Sequence, residues 1–460
     1  MKLIIILLLL GQRTSFAADS DFSESFKKIL GNKKNISMSL RDSEGVELFN
    51  SNGDFALAPA SIAKTVSTSC SLEVLGPQFQ FETKFGYTGK IEGDTLNGDL
   101  VIQGSGDPSL VIEDLHEVIE KLRYLYGIKK ITGNLIFDVS YFGVKSLSMA
   151  NGFEGDEGRS FTADLTPIIF NQNSFSIWVT PDPRDSKKTR AVSLPADVIN
   201  VDIANKSKIA SLTEVSVSYS PNKLAATITG SMSKDAEAKG IYRSVDDTYD
   251  YAFKILQHLW LKSGGEWKNG QFKISSTKVA FDLLWNHNSR PLAKILMDVN
   301  KYSLNLGAEM IFLAAGAEKY GRPSSYDKSL MLLRECLSKN KIPDGGVFLT
   351  NGSGLSREAL IKTSALTLFL QKASTGRFAP EYQSTFGLLG IDGTVKSRMK
   401  NEAGRARLKT GSLKNVRSIA GYLYGKDNRS YSFSMIQNAV DPNEAKNLED
   451  KVLQIFLKVY

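Results

Sequence analysis

Phe55-Ala56-Leu57-Ala58-Pro59-Ala60-Ser61-Ile62-Ala63-Lys64 leads into a helical pattern that runs to about Leu75. Pro59 stands just before the start, where a missing N–H costs little. Ser61 is therefore expected at a helix N-terminus, with Lys64 one turn on and on the same face. The N–H groups and dipole at that end favour developing negative charge. A serine hydroxyl is weakly nucleophilic and needs a base. Lys64 can act as one only if its pKa falls from about 10.4 toward neutrality, through burial or a neighbouring cation. A plain helix lysine would be solvated. The flank of Ala58, Pro59, Ala60, Ile62 and Ala63 argues instead for a lysine that lines a pocket.

Working outward, two later motifs offer partners for this pair. Ser303-Leu304-Asn305 opens a helical pattern from about Ser303 to Lys319, after a shorter helix from about Pro291 to Val299. Lys409-Thr410-Gly411 falls in a strand from Ala406 to Ser412. Alone, such motifs are weak. Ser-x-x-Lys recurs at Ser25, Ser231, Ser275, Ser325, Ser338 and Ser397, and Ser-x-Asn at Ser220 and Ser338. Lys-Thr-Gly occurs once. Read together, the motifs form a serine acyl-transfer site. Ser303 would pass a proton to the leaving group and Asn305 would donate to a substrate amide. Lys409 is a candidate for the cation beside Lys64, and with Thr410 for a carboxylate clamp. Gly411 would keep the strand bare where substrate approaches. The N–H groups of Ser61 and Ser412 would make an oxyanion hole. The bland alternatives are an N-cap serine at Ser303 and a solvated strand lysine at Lys409.

A chain of 460 residues has room for two or three domains. Its 42% hydrophobic and 23% charged content places it among globular proteins. A formal charge of +8 suits an acidic polymer or surface. No Lys/Arg block interleaves with aromatics, which argues against nucleic acid. Met1-Lys2, the apolar run Leu3 to Leu10, and Ser15-Phe16-Ala17-Ala18 read as a secretory signal peptide over 1–17, too short to span a bilayer. No later apolar run is long enough for a transmembrane anchor, so an exported, soluble protein is expected. His116, His258 and His287 are scattered and no metal spacing occurs, so neither metal nor cofactor is expected. An exported setting permits a disulfide between Cys70 and Cys336, but Cys70 reads as a buried thiol.

Asn35 to Arg41, the turn Asp42-Ser43-Glu44-Gly45 and Val46 to Phe49 read as a hairpin. From about 79 to 280 the chain is rich in short strand-like runs: Thr95 to Ile102, Lys130 to Val139, Ser174 to Val179, Val198 to Asp202, Thr213 to Tyr219 and Lys223 to Gly230, with a helix from about Thr248 to Ser263. The C-terminal part reads as strands Ala406 to Ser412, Arg417 to Tyr424 and Ser430 to Asn438, then an amphipathic helix from about Pro442 to Tyr460. The N-terminal hairpin and first helix are expected to join the C-terminal half in an α/β domain, with the β-rich stretch as an insertion.

The three motifs in this order resemble those of the class C low-molecular-mass penicillin-binding proteins, the carboxypeptidase/endopeptidase family of penicillin-binding protein 4. The resemblance extends through Gly104-Ser105-Gly106-Asp107-Pro108-Ser109-Leu110 and His287-Asn288-Ser289-Arg290-Pro291-Leu292. It continues through Asn300-Lys301-Tyr302-Ser303, Gly352-Ser353-Gly354-Leu355-Ser356-Arg357 and Gly390-Ile391-Asp392-Gly393-Thr394. It implies an α/β (α+β) fold: a transpeptidase/β-lactamase-like catalytic domain over 18–78 and 281–460. Two nested β-rich domains would interrupt it, one over 79–95 and 162–280 and the other over 96–161. It implies periplasmic peptidoglycan stem peptides and cross-links as substrate, and β-lactams as covalent inhibitors. It implies that Arg357 and an inserted acid, Asp156 or failing that Glu154, bind the stem peptide's diamino acid. Both acids would otherwise be solvated loop carboxylates.

Two residues depart from the family pattern. Leu304 stands where Asp is frequent, at a position that carries no chemistry, and Lys414 replaces an uncharged residue at the pocket rim. No Glu-x-x-Leu-Asn motif supplies a water-activating glutamate, which favours a penicillin target over a penicillinase. Carboxypeptidase and endopeptidase activity are both implied. The rivals are a β-lactamase or esterase on a related scaffold, and a silent wall-binding protein.

Overall fold

The computed structural model describes residues 23–31, 33–147, 160, 163–220, 223–268 and 270–460. The expected leader over 1–17, and Glu154 and Asp156, lie outside them. The chain divides into two compact units. One holds Pro291–Tyr320, Tyr326–Tyr460 and the described residues up to Phe79; the other holds Gln80–Arg290 and Gly321–Ser325.

In the first unit the elements are α1 (23–30), β1 (Ile36–Arg41), β2 (Glu47–Ser51), α2 (Lys64–Leu75), α3 (Leu292–Tyr302) and α4 (Asn305–Tyr320). They continue as α5 (Tyr326–Lys339), α6 (Thr363–Ala373), β3 (Gly387–Leu388), β4 (Ala406–Leu413), β5 (Val416–Tyr424), β6 (Ser430–Asn438) and α7 (Pro442–Val459). These six strands form one antiparallel sheet in the order β2-β1-β6-β5-β4-β3, and Ala56–Leu57, Val347–Phe348 and Leu360–Lys362 form a separate small one. The N-terminal hairpin thus pairs with the C-terminal strands, Ile36 opposite Gln437. Its turn is fixed locally: the Asp42 carboxylate accepts from the N–H groups of Glu44 and Val46 at 3.0 and 2.8 Å.

Strand β1 shows how both faces of this sheet are buried. Ile36, Met38 and Leu40 point to one side and join Phe26, Leu30, Phe433, Met435, Leu453 and Phe456 in a core beneath α1 and α7. Ser37 and Ser39 point to the other side and are also buried. Their hydroxyls bond Thr363 and Thr367, one turn apart on α6, at 2.7 and 2.8 Å. Pairing removes the penalty that a buried hydroxyl would otherwise carry, about 1–3 kcal/mol each. Helix α7 starts where Asp441 accepts from the N–H groups of Asn443 and Glu444, with Pro442 in the first turn.

Helix α2 is buried although its sequence is rich in Ser and Thr. The hydroxyls of Thr65, Thr68 and Ser71 donate back to the carbonyls of Ile62, Lys64 and Ser67, so no buried donor is stranded there. Cys70 on α2 is disulfide-bonded to Cys336 on α5, 266 residues away. This corrects the expectation of a buried thiol. The packing of α2 beside α5 brings the two Cα atoms to 5.8 Å, within bridging distance, and such long-range proximity has no local sequence signal.

The second unit carries two cores. In one, Glu82–Tyr87, Leu100–Gly104, Leu135–Asp138, Phe272–Ser275 and Asp282–Asn288 form a five-stranded sheet. Phe85, Ile102, Leu115, Phe137, Leu256 and Trp260 pack together here, with helices Ile112–Glu120 and Thr248–Lys262 contributing. In the other, Phe175, Ile177, Val179, Val215, Ile228 and Met232 pack between the short strands of 174–244. Strand pairing does not respect the expected boundary between 95 and 96. Thr95–Asn97 pairs with Lys90–Glu92, and Leu100–Gly104 pairs with Glu82–Tyr87. A second correction concerns Val198 to Asp202. The Pro195 carbonyl accepts from the N–H groups of Val198 and Ile199, which makes a turn, and the strand begins only at Asp202. Among the described residues, no helix is long and apolar enough to cross a membrane.

Candidate active site

Ser61 lies in a single 3-10 turn, Ala60–Ala63, before α2 begins at Lys64. Ala60 has φ +49°, a left-handed backbone that a non-glycine residue adopts at a cost of about 1–3 kcal/mol. Its surroundings impose this. The Ser418 hydroxyl donates to the Pro59 carbonyl at 2.6 Å. A Cβ on Gly411 would lie 2.9 Å from both the Ser61 nitrogen and the Pro59 oxygen. A Cβ on Gly354 would lie 2.2 Å from the Ala60 oxygen. The two glycines let β4 and the loop 352–354 close on the turn from different sides. The protein's own serine turn thus gives one reason why Gly411 is bare.

Lys64 is fully buried, and its Nζ lies 2.9 Å from Ser61 Oγ, 2.7 Å from Asn305 Oδ1 and 2.8 Å from the Ser353 carbonyl. Three acceptors match the three protons of an ammonium. Burial outweighs them and lowers the pKa to about 7, while the nearby Glu309 carboxylate pulls it upward. Of the two routes expected from the sequence, burial is the leading cause. Near neutrality the amine is poised to exchange a proton with Ser61, which then donates to the unprotonated nitrogen. Below about pH 7 the amine fills with protons and loses that capacity. The rate at which an acylating reagent labels Ser61 is expected to fall toward tenfold per pH unit on that side and to level off above it. A rate flat from about pH 5 to 9 would contradict a lysine base with this pKa.

Ser303 does not open α4. It closes α3 in a left-handed backbone, φ 61° and ψ 40°, and its N–H donates to the Val299 carbonyl. A left-handed residue ends one helix and redirects the chain. Helix α4 then starts at Asn305, whose carbonyl oxygen is turned to Lys64. Lys409, buried on β4, donates to Ser303 Oγ at 2.9 Å and to the Thr410 carbonyl at 2.6 Å. Burial, and then the charge of Lys64, hold its ammonium well below the usual lysine range. The site thus contains two lysine–serine pairs, Lys64 with Ser61 and Lys409 with Ser303.

The Thr410 hydroxyl donates to that of Thr394 at 2.8 Å. Ser412 is exposed and follows Gly411, the residue that lies against the Ser61 amide. Arg357 is also exposed, its guanidinium 3.4 Å from the Lys414 carbonyl just past the end of β4. The structure thus gathers Ser61, Lys64, Ser303, Asn305 and Lys409, and sets Thr410, Gly411, Ser412 and Arg357 along one strand and its end. Sequence reasoning missed the Ser353 carbonyl and Glu309. The first is a backbone atom, and the second sits four residues after Asn305 in an otherwise apolar run, a signal that was available.

The family model of the D-Ala-D-Ala carboxypeptidase 3 (S13) family matches residues 31–459. The D-alanyl-D-alanine carboxypeptidase DacB of Haemophilus influenzae is 26% identical over 407 residues, which cover 86% of this chain and 83% of that one. The crystal structure of penicillin binding protein 4 from the same organism superposes with a TM-score of 0.77 at 24% identity, over 95% of this chain and 99% of that one. The same protein complexed with a β-lactam gives 0.73 at 24% identity, with the same shares covered. These similarities show the fold.

Proposed function

The chain belongs to the D-Ala-D-Ala carboxypeptidase 3 (S13) family, and from that premise we propose a serine DD-peptidase in which Ser61 is acylated by peptidoglycan stem peptides. The observation that carries this is the buried Lys64 amine, 2.9 Å from Ser61 Oγ with a pKa near 7. Lys64 takes the Ser61 proton as Oγ attacks the carbonyl of a D-alanyl-D-X bond. The N–H groups of Ser61 and Ser412 hold the oxyanion. As the C–N bond breaks, Ser303, bonded to Lys409, gives its hydroxyl proton to the departing amine and is resupplied with the proton that Lys64 took from Ser61, while Asn305 orients the peptide. Lys409 and Thr410 hold the substrate carboxylate, and Gly411 lets the Ser61 turn reach β4. Water then hydrolyses the acyl-enzyme.

Arg357 and Asp156 are assigned to the diamino acid of the stem peptide. A β-lactam presents a strained amide to the same serine and is expected to leave a lasting adduct. The Haemophilus protein's complex with such a compound supports this assignment. Residues 1–17 are assigned to export, and the periplasm to the site of action.

Purified mature protein is expected to release D-alanine from a stem pentapeptide and to split a D-Ala–diaminopimelate cross-linked dimer. Chromatography of the two substrates after digestion reads both activities. If both substrates survive exposure to folded protein, the proposal fails; if only one is cleaved, that bond defines the activity.

A further inference from the structure

Glu309 is a buried acid that no step above uses. It lies on α4 four residues after Asn305, hence on the same face, and is fully buried. One carboxylate oxygen accepts the Gly352 N–H at 2.8 Å and the Tyr326 hydroxyl at 3.1 Å. The other accepts the Ser353 N–H at 2.8 Å. Ser353 in turn offers its carbonyl to Lys64. One face of α4 therefore sets two of the three acceptors around the amine: Asn305 directly, and the Ser353 carbonyl through Glu309. The two N–H groups, the Tyr326 phenol and the Ser353 hydroxyl that bond Glu309 all donate, which favours its ionised form.

The charged and titratable groups here are few. Lys409 on β4 and Glu309 on α4 act on Lys64 or are acted on by it, and Tyr326 on α5 faces Glu309. Burial holds the Glu309 carboxyl above the usual range, and its bonds to Ser353 and Gly352 and the charge of Lys64 offset this only in part. When Lys64 is protonated, Glu309 is the buried anion that faces it.

We infer that Glu309 is a positioning residue for the Ser61–Lys64 pair. It fixes the Ser353 carbonyl against the Lys64 amine and supplies the negative charge that stabilises the ammonium formed in acyl transfer. In that step the Ser61 O–H bond breaks, a Lys64 N–H bond forms, and Oγ bonds the carbonyl carbon, whose π pair moves to oxygen. Glu309 gains and loses no proton. The inference rests on the proposed acylation of Ser61.

The test is the rate of acylation by benzylpenicillin against pH, in the full mature chain and in Glu309→Gln. Glutamine keeps the shape, removes the charge, and turns an amide N–H2 toward one of the backbone donors. The rate on the plateau is expected to fall about 10- to 100-fold. The acid limb is expected to move down by about one pH unit, because a lost negative neighbour makes Lys64 easier to deprotonate. Glu309→Asp keeps the charge but cannot span both N–H groups, so its plateau should fall while the limb stays within about half a unit. Glu309→Gln with the wild-type rate and limb overturns the inference. If that variant does not fold, Tyr326→Phe decides. Loss of the phenol donor concentrates negative charge on the carboxylate and should raise the limb, and an unmoved limb overturns the inference. Failure of the wild-type chain to acylate at any pH would instead sink the proposed function, so the two failures are distinct.

Discussion

Ser61→Ala is expected to slow hydrolysis of D-alanyl-D-alanine ends by about 10⁴- to 10⁶-fold, the scale seen when an enzyme loses the nucleophile of a concerted set. The substitution should leave the fold intact. Ser61 sits in the turn from Ala60 to Ala63, and among the described residues its hydroxyl bonds Lys64 alone. The turn itself is held by backbone groups, through Ser418 on Pro59 and the close approach of Gly411 and Gly354. Product release and a thermal melt, measured on the same sample, separate lost chemistry from lost structure. Activity within tenfold of wild type would move the nucleophile elsewhere, with Ser303 the nearest candidate on chemical grounds.

The second large effect concerns the base. Lys64→Met keeps an unbranched stem of similar length and removes the amine. Lys64→Arg keeps a cation that does not deprotonate in proteins. Both are expected to cost about 10³- to 10⁵-fold in acylation rate. The comparison is informative because the two variants differ in charge but share the lack of a proton acceptor. Methionine also removes the Lys64 donor from the Ser353 carbonyl, at a cost of about 1–3 kcal/mol, partly offset by removal of a buried amine. A melt therefore accompanies the rate. Arginine at wild-type rate would assign proton transfer to another group, and Lys409, also buried at the site, would be tested next.

What the sequence made legible was local chemistry. Ser61 and Lys64 are three residues apart at the head of a helical pattern, so their meeting follows from helix geometry alone. Ser303, Asn305 and Lys409 were found as motifs, and α3, α4 and the three C-terminal strands lie within a few residues of where periodicity put them. The finer geometry came from long-range packing. Nothing near residue 303 says that it ends a helix in left-handed backbone. Residues 353 and 64 meet across 289 positions, and the disulfide closes 266. Most inserted strand runs were legible, but Val198 to Asp202 was not a strand, and which strands pair was not legible, because hydrogen-bond partners in a sheet are chosen by tertiary context. Gly411 was recognised as a required glycine, while the atoms that require it, on Pro59 and Ser61, lie some 350 residues upstream.

The central claim is that Ser61 forms an acyl-enzyme. The most direct measurement is the intact mass of the mature protein after brief exposure to benzylpenicillin, beside Ser61→Ala treated alike. The account predicts a persistent gain equal to one penicillin in the wild type and none in the variant. An unmodified wild type with the drug intact would contradict an active serine. An unmodified wild type with the drug hydrolysed would place the protein with the β-lactamases.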